Sequence, residues 1–184
     1  MIDAELVARV GDPAALRGRL ERLAVGESTS CRDTYYDLPG DPLTAAGRRV
    51  RLRVTEAAGG LRRASLGYTE PRSRPGWPAD EHETAVADDA VIGLVLRAAG
   101  MQPRVEFGMH RMSYRFTARG RDMLATTVTI PEIDAVFVEL RTTVGGAELT
   151  AGLSDVRAVL GDMGIGAGDL TQGTYADEVL RARG

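Results

Sequence analysis

Residues 47–54 read GRRVRLRV. In an extended chain this sets Arg49, Arg51 and Arg53 on one face and Val50, Leu52 and Val54 on the other. Charged residues recur at the same spacing elsewhere: Asp3 and Glu5 in MIDAELVARV, Glu81 and Glu83 in EHE, Glu139 and Arg141 in VFVELR, and Arg111 within MHRMSY. Convergent guanidinium groups bind carboxylate or phosphate. A carboxylate crowded by like charges has a raised pKa and can serve as general acid or base. A solvated sheet face usually mixes in Thr, Ser, Gln and Lys, whereas these pairs are long acids and arginines. Periodicity alone does not say which face is inward, and internal salt bridges holding a sheet open would leave the same pattern.

The elements that must position these residues are mostly strands. Alternation predicts strands over residues 2–10, 30–37, 48–55, 62–68, 81–86, 105–117, 122–130 and 135–143. Asp12-Pro13 opens an amphipathic helix to about residue 23, as an N-cap followed by proline at the first helical position. Asp88 and Asp89 start a second helix that Gly100 closes. A third covers about 151–163 and a short one about 175–181. The segment EPRSRPGWPAD, residues 70–80, is too rich in proline to be other than a loop. No Gly-rich phosphate loop appears. Many antiparallel strands with a few helices give an α+β domain built on a large sheet or closed barrel. If the sheet closes with helices outside, the apolar faces turn to the helices and the charged faces line a lumen.

Composition narrows the class. The 184 residues are most simply one domain, 1–184. A net charge of −3 argues against general nucleic-acid or membrane-surface binding. The start lacks the basic and apolar runs of a signal peptide, and the lone Cys31 has no disulfide partner and no Cys or His company for zinc. The expectation is a cytoplasmic protein with a small-molecule partner, off nucleic acid and membrane. All 23 basic residues are arginine, a GC-rich coding bias of the kind actinobacteria show.

Residues 33–54, DTYYDLPGDPLTAAGRRVRLRV, resemble the signature of the CYTH, or triphosphate tunnel metalloenzyme, superfamily. ELVARVGDPAALRGRL, ASLGYTEP, EHETAV, MHRMSY, VFVEL and GTYADEVL resemble further family segments in the right order, so the likeness covers essentially the whole chain. It implies a closed eight-stranded antiparallel barrel, a tunnel with helices packed outside. Members include inorganic triphosphatases, thiamine triphosphatase and class IV adenylyl cyclases. In them, lumen basic residues hold polyphosphate and carboxylates hold Mg²⁺ or Mn²⁺. A dimer is common among them, and a homodimer is the expectation carried over. By this likeness Arg51, Arg53, Arg111 and Arg141, with Asp3, bind ligand. Glu5, Glu81, Glu83 and Glu139 carry the chemistry, and any metal.

The chain departs from that pattern at charged positions. Val7, Thr69 and Met109 stand where the family has lysine. The acid expected before the late loop is read as Thr129, and the second acid of the late pair is Arg141. Codon drift would have left arginine at 7, 69 and 109, so the charges themselves are gone. Three lost charged hydrogen bonds amount to roughly 5–9 kcal/mol. Arg141 would repel a cation that needs several oxygen ligands. The expectation is therefore a diverged tunnel enzyme. It binds an anionic or polar small metabolite in an Arg/Glu-lined lumen, with glutamate acid–base chemistry, in a specialised biosynthetic pathway. Two alternatives are a metal-dependent triphosphate phosphohydrolase or cyclase, with Mg²⁺ or Mn²⁺ and compensation from Arg49 or Arg63, and a non-catalytic ligand-binding protein. His82 and His110 have the wrong parity for the lumen, and Trp77 could close its mouth or anchor the surface.

Overall fold

A computed structural model describes residues 1–71, 79–171 and 173–184. The alternating segments form β1 (Ile2–Arg9), β2 (Glu27–Asp37), β3 (Arg49–Ala57), β4 (Arg62–Glu70), β5 (Asp80–Val86), β6 (Gln102–Ala118), β7 (Arg121–Ile130) and β8 (Ala135–Val144). The helices are α1 (Pro13–Glu21), α2 (Pro42–Ala45), α3 (Asp89–Ala98), α4 (Leu149–Asp162) and α5 (Tyr175–Arg183). None is long and apolar enough to cross a membrane. Most of the proline-rich loop, with Trp77, lies outside the described residues.

The strands hydrogen-bond in the order β1-β8-β7-β6-β2-β3-β4-β5, with antiparallel ladders. The α+β class stands, but the closed barrel does not. The order is linear, and among the described residues no ladder joins β1 to β5. The outer edge of β1 is taken locally: Ala8 bridges to Leu170, and the Thr171 N–H donates to the Val7 carbonyl at 2.9 Å. A strand edge whose groups are already bonded no longer templates another strand.

The chain divides into two compact units, Met1–Ser28 with His110–Thr174, and Thr29–Met109 with Tyr175–Gly184. In the first, Asp12 caps α1 by accepting from the Ala15 N–H at 3.0 Å. This directs Leu16 and Leu20 into a core with Ala8, Val138 and Leu140 of the sheet and Val156, Val159 and Leu160 of α4. Burying a leucine or valine contributes about 1.5–3 kcal/mol, which fixes the face that the strands turn to the helices. α4 comes close because residue 152 is glycine: a Cβ there would stand 3.0 Å from Ala4 Cβ and Val144 Cγ1. The odd-numbered positions of β1, with Asp3 and Glu5, take the opposite face.

In the second unit the YYD of the signature ends in Asp37, whose carboxylate is buried. It accepts from the N–H groups of Leu38 (2.8 Å), Leu43 (3.0 Å) and Thr44 (2.8 Å), and from the Thr44 hydroxyl (2.7 Å). Burial works to raise its pKa, but the bonds from Thr44, Leu43 and Leu38 outweigh it and leave the group lowered. Asp37 therefore ties α2, a single turn too short for periodicity to reveal, to the end of β2. α3 is capped by Asp88, which accepts from the Val91 N–H at 3.0 Å, and meets the sheet at Gly93, where a Cβ would lie 3.3 Å from Tyr36 Oη.

Candidate functional site

Each unit carries a charged strand face. In the second unit, register sets Asp33 opposite Arg53, Tyr35 opposite Arg51, Arg51 opposite Gly67 and Gly67 opposite Glu83. Asp33 is fully buried and accepts from Arg53 Nε and Nη2, both at 2.6 Å. Burial acts to lower the Arg53 guanidinium, but the bonds to Asp33 outweigh it and hold the group above its ordinary value. Arg53 is thus already engaged on both arms of its fork.

Arg51 is held differently. Nη2 donates to Glu83 at 3.0 Å, but that carboxylate side chain is half exposed. The buried Nε finds no hydrogen-bond partner among the described residues. Gly67 keeps a side chain off this pair, since a Cβ there would stand in contact at 3.8 Å from Arg51 Nη2 and from Glu83 Oε2. The Tyr35 ring stacks on Phe107 at 6.2 Å between centroids. Burial, then the Asp33 charge, raises the Tyr35 pKa, while Arg51 acts to lower it; the phenol keeps its proton. Glu81 is exposed and sits in register with Thr69, which in turn faces Arg49. Arg49 lies 3.7 Å from Asp177 of α5, and Met109 is buried.

In the first unit, Glu139 accepts from both terminal nitrogens of Arg111, at 2.6 and 3.4 Å. Asp3 accepts from Arg141 at 3.1 Å and from the Thr143 hydroxyl at 2.7 Å, near the surface. Glu5 stands opposite Arg141, and Val7 opposite Glu139. One assignment from the sequence is corrected. Thr129 pairs with His110 and Val136, on the face opposite Glu139 and Arg111. Thr126 is the residue in register with Glu139, and its hydroxyl meets Ser113 at 3.0 Å. A slip of an odd number of residues reverses the face of a strand. His82 pairs in register with Tyr68, which it stacks on at 6.4 Å, away from the Arg51 face.

Asp33, Tyr35 and Thr126 were not picked out from the sequence as site residues. The first two could have been: DTYYD alternates as GRRVRLRV does, and a strand of acids and phenols is the natural neighbour of one of arginines. A divalent ion does not fit the carboxylates named for it. Among the described residues no group of three or more His, Cys, Asp or Glu side chains could hold a metal ion. Glu83 and Glu139 are each occupied by an arginine.

No protein-family model matches the chain, and no curated protein matches it. Solved structures do. The PH1819 protein of Pyrococcus horikoshii superposes with a TM-score of 0.81 at 17% identity, over 98% of this chain and 99% of that one. A candidate adenylate cyclase of Vibrio parahaemolyticus gives 0.79 at 17% identity, over 98% of each chain. HpAC1 of Hippeastrum, a candidate adenylyl cyclase with a dominant triphosphatase activity, gives 0.68 at 15% identity, over 99% of this chain and 96% of that one. The chain shares the fold of these solved structures.

Proposed function

We propose that this chain is a diverged tunnel-fold enzyme that binds a small anionic or polar metabolite at the Arg51 face, without relying on a divalent metal. The observation that carries the reading is the state of Arg51: a buried Nε with no partner among the described residues, beside an arm that donates to a half-exposed carboxylate. An anion reaching this guanidinium gains a charge-assisted bond and displaces Glu83. Glu83, released 3.0 Å from its former donor, then becomes a carboxylate able to accept a proton from the bound molecule, with Glu81 two positions along the same face. Arg53, fixed by Asp33, adds positive field without changing partner. In the other unit, Arg111 with Glu139 and Arg141 with Asp3 and Glu5 form a separate acid–arginine set able to bind polar ligands of its own. A cytoplasmic setting and a role in specialised biosynthesis belong to the same proposal.

The test is calorimetric titration with orthophosphate, pyrophosphate and succinate, comparing wild type with Arg51→Gln. Binding of at least one anion by wild type, weakened tenfold or more in the variant, is expected. Equal binding by both proteins would remove Arg51 from the site.

Likeness to HpAC1 favours a second reading, a triphosphatase. Against it stand Val7, Thr69 and Met109 in place of lysine and the absence, among the described residues, of a carboxylate cluster for a metal. A third reading, a binding protein without catalysis, differs from the first only in ligand turnover.

A further inference from the structure

The ends of β2 and β3, the start of β6 and the first turn of α5, all in the second unit, border a cleft of about 300 Å³ including its open mouth. That is at the small end of ligand pockets. The cleft carries both signs of charge, because Arg49, Arg104 and Asp177 all line it. Among the described residues Arg104 hydrogen-bonds through Nε alone, to Asp41 at 2.9 Å, and so keeps both terminal nitrogens for another acceptor. Arg49 stands 3.7 Å from Asp177, an ion pair longer than a hydrogen bond. Val50, Val105, Ala176 and the ring of Tyr36 supply apolar wall. Arg51 and Glu83 do not line the cleft, which is therefore separate from the site proposed above.

We propose that this cleft binds a zwitterion, an aliphatic α-amino acid, with its carboxylate on Arg104 and its ammonium on Asp177. A simple anion drawn to the arginines is opposed by Asp177, and a simple cation drawn to Asp177 is opposed by the arginines. A molecule bearing both charges satisfies both partners. The carboxylate matches the planar fork of a guanidinium whose terminal nitrogens are open. The ammonium brings three donors, and a carboxylate has about four acceptor positions, so Asp177 takes it while keeping its present neighbours. The charges already balance, two arginines against Asp177 and Asp41, so a ligand of no net charge leaves that balance intact. The apolar wall favours an aliphatic side chain, because a third charge there would lose its water without gaining a partner.

Calorimetric titration of the purified chain with three probes tests this: L-leucine, 4-methylpentanoate, which lacks the ammonium, and isopentylamine, which lacks the carboxylate. Wild type should bind L-leucine at least tenfold more tightly than either of the others, a comparison that needs no variant. Arg104→Gln should remove the advantage of L-leucine over isopentylamine, and Asp177→Asn its advantage over 4-methylpentanoate. A loss of fold would weaken all three probes together and show in a thermal melt, so the selective loss identifies the two contacts. Both side chains are partly exposed, and each variant is expected to melt as wild type does. No binding of L-leucine at millimolar concentration overturns the proposal. Equal binding of L-leucine and 4-methylpentanoate by wild type, or variants that keep the full preference, overturns it as well.

Discussion

Asp33, fully buried, holds Arg53 through both of its oxygens at 2.6 Å. A buried pair of this kind contributes little over well-packed apolar residues, but breaking it strands a charge at a cost of about 3–5 kcal/mol. Asp33→Ala should therefore lower the unfolding free energy by about that amount, measured by urea titration. The double variant Asp33→Leu with Arg53→Met should recover most of the loss. If Asp33→Ala proves neutral, Arg53 has found a second partner.

Asp37 ties stability to pH through its lowered pKa. Its folded pKa lies below the unfolded one, so its contribution is full above the ordinary carboxylate range, near pH 4. That contribution is lost as pH falls through the folded value. Asp37→Asn should cost on the order of 3 kcal/mol at neutral pH and flatten the loss of stability below pH 4. Urea unfolding between pH 2.5 and 7 would show it, and an unchanged acid limb would assign that limb to other carboxylates.

Gly152 admits α4 onto β1 and β8. Gly152→Val should destabilise by roughly 1–3 kcal/mol through overpacking against Ala4 and Val144. Thermal melting reads this directly, and ligand binding at Arg51 should be unaffected.

A side chain at Gly67 would stand against Arg51 and Glu83, a Cβ lying 3.8 Å from Nη2 and from Oε2. Gly67→Leu should cover this pair, and anion binding should fall at least tenfold while a melting curve shows a smaller change. Binding that survives the leucine would place the ligand elsewhere on the strand face.

Much of this was legible in the chain. Period-two alternation located every strand, because a half-buried sheet forces it, and Asp12-Pro13 and Asp88 announced their helices. The rest needed pairing information. Thr129 and Thr126 lie three residues apart in one strand, and only the register with Glu139 separates them. Asp33 reads as one more polar residue until Arg53 is seen opposite it. Closure of the sheet depended on edges distant in sequence, and the Val7–Ala8 end of the β1 edge went to Leu170 and Thr171. α2 spans four residues, less than two turns, so only Asp37, through its bonds, reveals why it forms.

Phosphate release from tripolyphosphate, thiamine triphosphate and ATP, with and without Mg²⁺ or Mn²⁺, for wild type and Glu5→Gln, decides between a metal-independent pocket and triphosphate chemistry. No metal-dependent turnover of any of the three is expected, which agrees with a pocket turned to a smaller or less charged ligand. Metal-dependent release that disappears in Glu5→Gln would contradict the account and return the chain to triphosphate chemistry.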